Sequence, residues 1–348
     1  MSSPLNRYVE KAQRVLFAGQ GGADPIDRRR IHLVSCIGAD LEKPLVPHFL
    51  DHYLGLGVLP ENFHVIVNSA HEQSDALIGV EQMLAERGIR CEERWIEAYT
   101  SAAMWQKRRD VQRRCVPKDH WVLSADTDEF HEYPIELAAF LGECQAHGIN
   151  TVDGVFMDRV SADGSLKPVD ASGPALFDDF PIQAMVQGRI ADFGAFHQVS
   201  GSIKLMAFDA ALLPDQGGHT LVKEQSDARF LFGRSLTEYP QMRHALVRFR
   251  VPLRVHHFKW HAALPDTLEH RLAQPNVSPA GREYGGKLLD YFARHHSGIA
   301  LSDVATRHTD GWLPLLDWRT RVRGMRVIHM LRLSGARAKR VLRQKSIS

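Results

Sequence analysis

The chain has 348 residues, of which 44% are hydrophobic and 24% are charged. This balance is ordinary for a globular protein and excludes a mostly disordered or fibrous chain, while the length fits one large α/β domain with additions. The net charge is +2, but it hides an asymmetry, because residues 319–348 contain ten Lys or Arg and no Asp or Glu. Since this basic segment lacks interleaved aromatic residues, we expect no nucleic-acid partner.

The spacing of the cysteines and the sequence at the start of the chain indicate in which cellular compartment the protein is expected. No CxxC spacing occurs, so the sequence predicts neither a zinc knuckle nor a disulfide framework. No stretch approaches the roughly 18 apolar residues that a membrane-spanning helix needs, and the charged start lacks an apolar signal core. We therefore expect a cytoplasmic protein. The four cysteines are Cys36, Cys91, Cys115 and Cys144.

Strand and helix patterns alternate through the first part of the chain. Four strands separated by helices, about 30 residues apart, predict right-handed crossovers and a Rossmann-like, mostly parallel sheet with helices on both faces. Ligands are then expected beyond the carboxyl ends of the strands. The predicted strands span 30–38, 63–69, 89–97 and 121–125, and the predicted helices span 43–57, 74–87 and 101–115.

The regular alternation ends after a further helix at 134–147 and a strand at 152–160. Residues 161–199 are rich in Gly, Pro and Asp, which is more typical of a loop-bearing acceptor region than of a second βαβ domain. Strand patterns return at 202–209 and 252–260.

The acidic pair Asp126 and Asp128 follows the apolar run that begins at Trp121. Alternate residues of an extended chain face the same way, so both carboxylates can reach one divalent ion. Mg²⁺ and Mn²⁺ are commonly held by one or two carboxylates together with phosphate oxygens of a substrate. Two acids at this spacing often lie on a solvated loop, but here they end a predicted central strand. A nucleoside-diphosphate sugar fits such a site.

The segment DHWVLSADTDEF resembles the acidic motif of GT-A glycosyltransferases, especially the family 2-like and family 92-like groups. VSCIGADLEKPLVPHFLDHYLGLGV, NSAHEQSD and the histidine of HHFKWH are similar to further segments of those groups. The resemblance covers about residues 30–262, and its acidic motif is the specific part. It implies a GT-A glycosyltransferase domain over 30–262, after a leader over 1–29 and before a helical extension over 263–318 and a basic tail over 319–348.

By that resemblance, His257 would be the third protein ligand of the metal. Imidazole tolerates Mn²⁺ well. His256 would point to the other side of the strand, and His261 is a weaker candidate. The implied cofactors are Mn²⁺ or Mg²⁺ and a nucleotide-sugar donor, for which we expect a UDP-sugar.

A diphosphate leaving group also needs positive charge. Trp105, Arg109 and Gln112 share a face of the helix before the acidic strand, so Arg109 is our first choice, with a solvated helix face as the alternative. The further candidates for donor binding are Arg108, Lys204, Lys259, His219 in the segment GGHT, Ser35 in the first strand, and Asp126 itself.

An inverting reaction would need a carboxylate base to deprotonate the acceptor hydroxyl. Asp178 and Asp179, in the loop LFDDF, are candidates, although they would equally suit an exposed loop. Asp158 is a third candidate that, together with Arg159, could instead hold the acceptor or form a structural ion pair.

The predicted function is transfer of a sugar from a nucleotide-sugar to a glycan or a lipid-linked glycan. The alternatives are a nucleotidyltransferase, against which the lack of a Gly-rich loop after the first strand argues, and an inactive GT-A-like binding protein. In the tail, apolar and basic residues fall on opposite sides of a helical wheel. The tail could therefore bind an anionic membrane surface peripherally, or pack against the body.

Overall fold

The computed structural model describes most of the chain as an α/β fold built on one large sheet. The described residues are 23–171, 176–186, 190, 201–223, 225, 227–274, 277, 279–295, 298–307 and 318–327. The start and end of the chain, including residues 328–348 of the predicted membrane-binding tail, lie outside the described residues.

Among the described residues, the sheet contains ten strands. These are β1 (Ile31–Gly38), β2 (Phe63–Ser69), β3 (Cys91–Ile96), β4 (Trp121–Ser124), β5 (Glu129–Glu132), β6 (Thr151–Val160), β7 (Ile182–Ala184), β8 (Ile203–Asp209), β9 (Arg254–His257) and β10 (Thr306–Arg307).

Helices connect and cover these strands. They are α1 (Ala39–Glu42), α2 (Val46–Gly55), α3 (Asp75–Glu86), α4 (Ser101–Cys115), α5 (Leu137–Ala146), α6 (Leu176–Asp179), α7 (Ala245–Arg248), α8 (Leu264–Ala273) and α9 (Pro279–Arg294). Residues 318–327 are helical as well. None of the described helices is long and apolar enough to cross a membrane.

The first four strands form the parallel half of the sheet, in the order β3-β2-β1-β4. The chain leaves β1 toward β2 on one side and later returns to place β4 on the other side. The strand order therefore reverses between β1 and β4, and we call the region beyond their carboxyl ends, where α/β folds bind their ligands, the switch-point crevice. The predicted α/β class and the parallel order of these strands are confirmed.

The remaining strands extend the sheet mainly in the antiparallel sense. β8 pairs antiparallel with both β4 and β6, and β7 and β10 continue outward from β6. β9 pairs parallel with β6 and antiparallel with β5. This arrangement brings β5, directly after the acidic pair, beside the strand that carries His257.

Both faces of the parallel half are buried, as the alternation of residues along a strand requires. Leu33 of β1 faces the core formed with α2, α3 and α5. Val34 faces the opposite core, which α4 covers with Trp105 and Val111. Helices thus lie on both faces of the sheet, as predicted.

Candidate functional site

Asp126 and Asp128 lie just beyond the carboxyl end of β4, at the switch-point crevice. The turn between β4 and β5 is fixed by two hydrogen bonds. The Asp126 amide donates to Glu129 Oε2 over 3.1 Å, and the Glu129 amide donates to the Asp126 carbonyl over 3.0 Å. Glu129, the acid that extends the DxD motif, therefore shapes the loop that presents both aspartates.

Two buried cations hold the carboxylate of Asp126. Arg108 Nη1 donates to Oδ1 over 2.5 Å, and Lys204 Nζ donates to Oδ2 over 3.0 Å. Lys204 also donates to Glu129 Oε1 over 2.6 Å. Burial alone would raise the pKa of Asp126, but the charges of Lys204 and Arg108 outweigh it and hold this pKa well below its usual range.

Arg108 reaches Asp126 from the inner face of α4. Its Nη2 donates to the Val34 carbonyl, to Ser124 Oγ and to the Ala125 carbonyl over 2.8–3.1 Å, so it ties β1 to β4. Its guanidinium stacks 4.4 Å from the centre of the Trp105 ring. A buried arginine held this firmly supplies fixed positive charge at the crevice.

Asp128, His257 and Asp158 form a chain. His257 Nε2 lies 3.3 Å from Asp128 Oδ2, and His257 Nδ1 lies 2.9 Å from Asp158 Oδ1. The Val186 amide donates to Asp158 Oδ2 over 2.8 Å, which fixes that carboxylate. Burial would lower the pKa of His257, but the two carboxylates outweigh it and raise the pKa to about 9.

His256, the neighbour of His257, points to the other side of β9. Its Nε2 lies 2.8 Å from Glu132 Oε2, and Arg254 reaches the same carboxylate. The strand alternation used to choose between the two histidines therefore matches their placement.

Glu42 is a fourth acid in the crevice, and the sequence analysis missed it. It lies in α1, directly after β1, and its Oε2 accepts from the Gly38 amide over 2.8 Å and from Thr127 Oγ1 over 2.9 Å. Burial and the nearby charge of Asp128 raise its pKa to about 8. The switch point between β1 and β4 was the available signal, because residues that directly follow these two strands lie near each other at the same edge of the sheet.

The segment GGHT brings His219 to the same region. His219 Nδ1 donates to the Ile203 carbonyl over 2.6 Å, which leaves Nε2 as the acceptor nitrogen of the neutral ring. Burial and the charge of Lys204 lower the pKa of His219 to about 4. The ring is therefore neutral at physiological pH.

Other predicted residues lie farther from the acids or are engaged elsewhere. The structure places Arg108 beside Asp126, whereas Arg109, our first choice, donates to the Pro214 carbonyl and to Gln106. Lys259 donates to the Tyr284 hydroxyl over 2.7 Å, although its charge still lowers the pKa of Asp128.

Ser35, Asp178 and Asp179 complete the predicted set. The hydroxyl of Ser35 is buried and donates to the Ala125 carbonyl over 2.9 Å. Asp178 is exposed and Asp179 is half-buried, and neither pairs with a described cation. Phe177, in the same short helix α6, packs 5.2 Å from the ring of His256. The helix is therefore anchored near β9.

No protein-family model and no curated protein matches this sequence. Among solved structures, the chain is similar to a mannosyltransferase from Pyrobaculum calidifontis in complex with GDP-Man and Mn²⁺. The identity is 16% and the TM-score is 0.27, over 43% of this chain and 42% of that one. The chain thus spans about two fifths of that protein, and a likeness this slight carries no argument about chemistry.

The arrangement around His257 fits a metal ligand. A histidine that binds a metal usually donates its other ring N–H to a carboxylate, which fixes the ring. Asp158 accepts from Nδ1 of His257, so Nε2 faces Asp128 as a ligand would. Asp126, Asp128 and His257 do not each offer a ligand atom within 4.8 Å of the other two. The carboxylate of Asp126 is instead held by Arg108 and Lys204.

Proposed function

We propose that this protein is a metal-dependent glycosyltransferase that uses a nucleoside-diphosphate sugar. Two adjacent arrangements at the switch-point crevice carry the proposal: Asp126 is joined to the buried cations Arg108 and Lys204, and Asp128 is joined to the His257–Asp158 pair. Acids alone would suit a solvated loop. Acids with fixed cations and an oriented imidazole suit a site that holds a metal and a diphosphate together.

Asp128 and His257 are the proposed protein ligands of Mn²⁺ or Mg²⁺, with Asp126 beside them. The bound ion would neutralise charge that develops on the leaving diphosphate. If an ion displaces the Nε2 proton that the raised pKa of His257 retains, Asp158 would hold the other proton on Nδ1, so that Nε2 faces the metal. Arg108 and Lys204 fix Asp126, and the neutral Nε2 of His219 offers a further acceptor.

The remaining roles concern the acceptor. Asp158 is engaged by His257 and by the Val186 amide, so we assign it a positioning role rather than that of a base. Asp178 and Asp179 remain our candidates for the base, because α6 is anchored by Phe177 close to β9. Lys259 and Arg109 remain candidates for donor contacts, and a glycan or lipid-linked glycan remains the proposed acceptor.

The test begins with thermal unfolding in the presence of UDP-sugars and GDP-sugars, with and without Mn²⁺. A true donor should raise the unfolding temperature only when the metal is present, because a ligand that binds the native state stabilises it by mass action. Asp128→Asn should abolish this shift and lower nucleotide release from the donor by about 100-fold or more. Asp158→Asn should weaken metal binding by about 10–100-fold.

Asp119→Asn is the matched control, because Asp119 is an exposed aspartate that pairs with Arg30 away from the crevice. It should behave as the wild type. Undiminished metal-dependent donor binding in Asp128→Asn would refute the metal assignment. Stabilisation by a nucleoside triphosphate with a sugar phosphate, and pyrophosphate release, would instead favour the nucleotidyltransferase.

A further inference from the structure

A second cluster of ligand-type side chains lies near the amino ends of the parallel strands, at the opposite end from the acidic crevice. His64 of β2, Glu92 of β3 and Cys115 at the end of α4 each offer one ligand atom, and these atoms lie within 4.8 Å of one another. Among the described residues, no other group of three His, Cys, Asp or Glu side chains has ligand atoms this close together.

Each carboxylate oxygen of Glu92 lies close to one of the other two side chains of the cluster. Glu92 Oε2 lies 3.8 Å from His64 Nδ1, and Glu92 Oε1 lies 3.3 Å from Cys115 Sγ. Ligands at zinc bond lengths in a tetrahedral site are about 3.3–3.7 Å apart. Only small side-chain movements would therefore bring the three atoms onto a shared ion.

A buried chain of imidazoles supports His64 from behind. His64 Nε2 lies 3.0 Å from His32 Nδ1, and His32 Nε2 lies 2.8 Å from His120 Nδ1. If His64 Nδ1 binds the ion, its Nε2–H donates to His32, and the His32 Nε2–H donates to His120. Each ring then carries one proton, and His64 has the outer hydrogen-bond partner that orients metal-binding histidines.

The backbone aims Glu92 into the cluster. Val65 pairs with Cys91 and Ile66 pairs with Glu93, so Glu92 is the extra residue of a β-bulge. Bulges re-aim side chains and are common beside functional sites. Arg90 and Arg114 approach Oε1 of Glu92, at 4.0 and 3.6 Å, whereas Oε2 is the oxygen nearest to His64.

We propose that His64, Glu92 and Cys115 form a second metal site, for Zn²⁺ or a divalent ion with similar preference for nitrogen and sulfur. One imidazole, one carboxylate and one thiolate suit such an ion better than Mg²⁺. On binding, the Cys115 thiol releases its proton to solvent and its sulfur bonds to the ion, and a water completes four-coordination. The ion would tie α4, which also carries Arg108, to β2 and β3.

The test uses Co²⁺ as a spectroscopic probe on the full-length, chelator-treated protein under reducing conditions. The wild type should bind one Co²⁺ with thiolate-to-cobalt charge-transfer absorption and release about one proton per ion. Cys115→Ala should remove this absorption. Cys91→Ala is the matched control, since Cys91 is also half-buried but its thiol donates to the Glu93 carbonyl, and it should keep the absorption.

Asp128→Asn should also keep the absorption, which would separate this site from the acidic crevice and from the proposed function. In the Asp128→Asn background, Zn²⁺ should raise the unfolding temperature, but it should not do so when Glu92→Gln is added, a substitution of unchanged size that serves if Cys115→Ala does not fold. The proposal is overturned if excess Co²⁺ gives no charge-transfer absorption in the wild type, if the absorption survives Cys115→Ala, or if the Zn²⁺ shift survives Glu92→Gln.

Discussion

Glu42 provides a pH-dependent test at the scale of single residues. Its pKa is raised to about 8 by burial and by Asp128, well above its value in an unfolded chain. Between about pH 4.5 and pH 8 the folded state therefore binds more protons than the unfolded state, and the free energy of unfolding falls as the pH rises through this window. Glu42→Gln removes this titration but keeps an oxygen that accepts from Gly38 and Thr127.

We therefore expect the unfolding temperature of Glu42→Gln, relative to the wild type, to increase by a few degrees from pH 5 to pH 9. Calorimetry in the presence of a chelator measures it without competition from metal. Glu61→Gln changes an exposed glutamate in the same way and should show no such trend. A difference that stays constant with pH would mean that Glu42 is ionised throughout.

The sequence alone predicted part of the site around Asp126 and Asp128. Asp128 and His257, far apart in the chain, meet at 3.3 Å as the motif implied, although their metal-binding role stays a prediction. The sequence did not distinguish Arg108, which contacts Asp126, from Arg109, because positions i+3 and i+4 from Trp105 both face the same side of a helix. Only packing against β1 and β4 decides which arginine is buried, and a single sequence does not contain that information.

At the scale of elements, the segment between Asp215 and Leu221 positions the cations. Gly218 has φ +65°, and a Cβ added there would lie 2.6 Å from Trp105 Cη2 and 2.9 Å from Lys204 Cε. An alanine in the left-handed backbone conformation costs roughly 1 kcal/mol. Gly218→Ala should therefore lower the free energy of unfolding by more than this amount, because its Cβ would also displace Lys204 from Asp126. Metal-dependent donor binding should weaken several-fold, as measured by calorimetric titration.

Gly148→Ala separates the cost of a left-handed backbone from the effect of close contact with Trp105 and Lys204. Gly148 has φ +67° but nothing within 4 Å of an added Cβ, so its substitution incurs only the backbone cost and should leave donor binding intact. Equal losses of stability and of binding in both variants would show that Lys204 does not depend on close packing by Gly218.

The elements themselves were predictable where their patterns are long and apolar. Phe63–Ser69 and Ser101–Cys115 have the predicted bounds. The short strands β5, β7 and β10 were not predicted, because two to four residues show no usable periodicity. β5 reads EFHE, and it is a strand because β9 pairs with it, which is a long-range contact that local pattern does not encode.

At the scale of the whole molecule, the described part of the basic C-terminal segment contacts the rest of the protein. Residues 318–327 pack on the body: the Trp318 ring lies 5.3 Å from that of Phe140, and Val322 is buried in the main core. Arg319 binds Glu143 through two nitrogens, and Arg326 donates to the Leu231 carbonyl over 2.7 Å. The packed alternative therefore describes this first part, and membrane binding stays a proposal for the rest.

The last prediction is that residues 328–348, with six Lys or Arg and no acid, attach the protein to an anionic membrane surface. Each basic residue near such a surface contributes about 1 kcal/mol, and salt screens the attraction. In liposome co-sedimentation, binding to anionic vesicles should fall steeply with salt, should be absent for neutral vesicles, and should vanish on deletion of 328–348. That deletion spares Val322 and the Arg319–Glu143 pair, so the fold should persist, whereas deletion from 319 would also remove core contacts. Full-length protein that stays in the supernatant with anionic vesicles at low salt would show that the segment does not bind membranes.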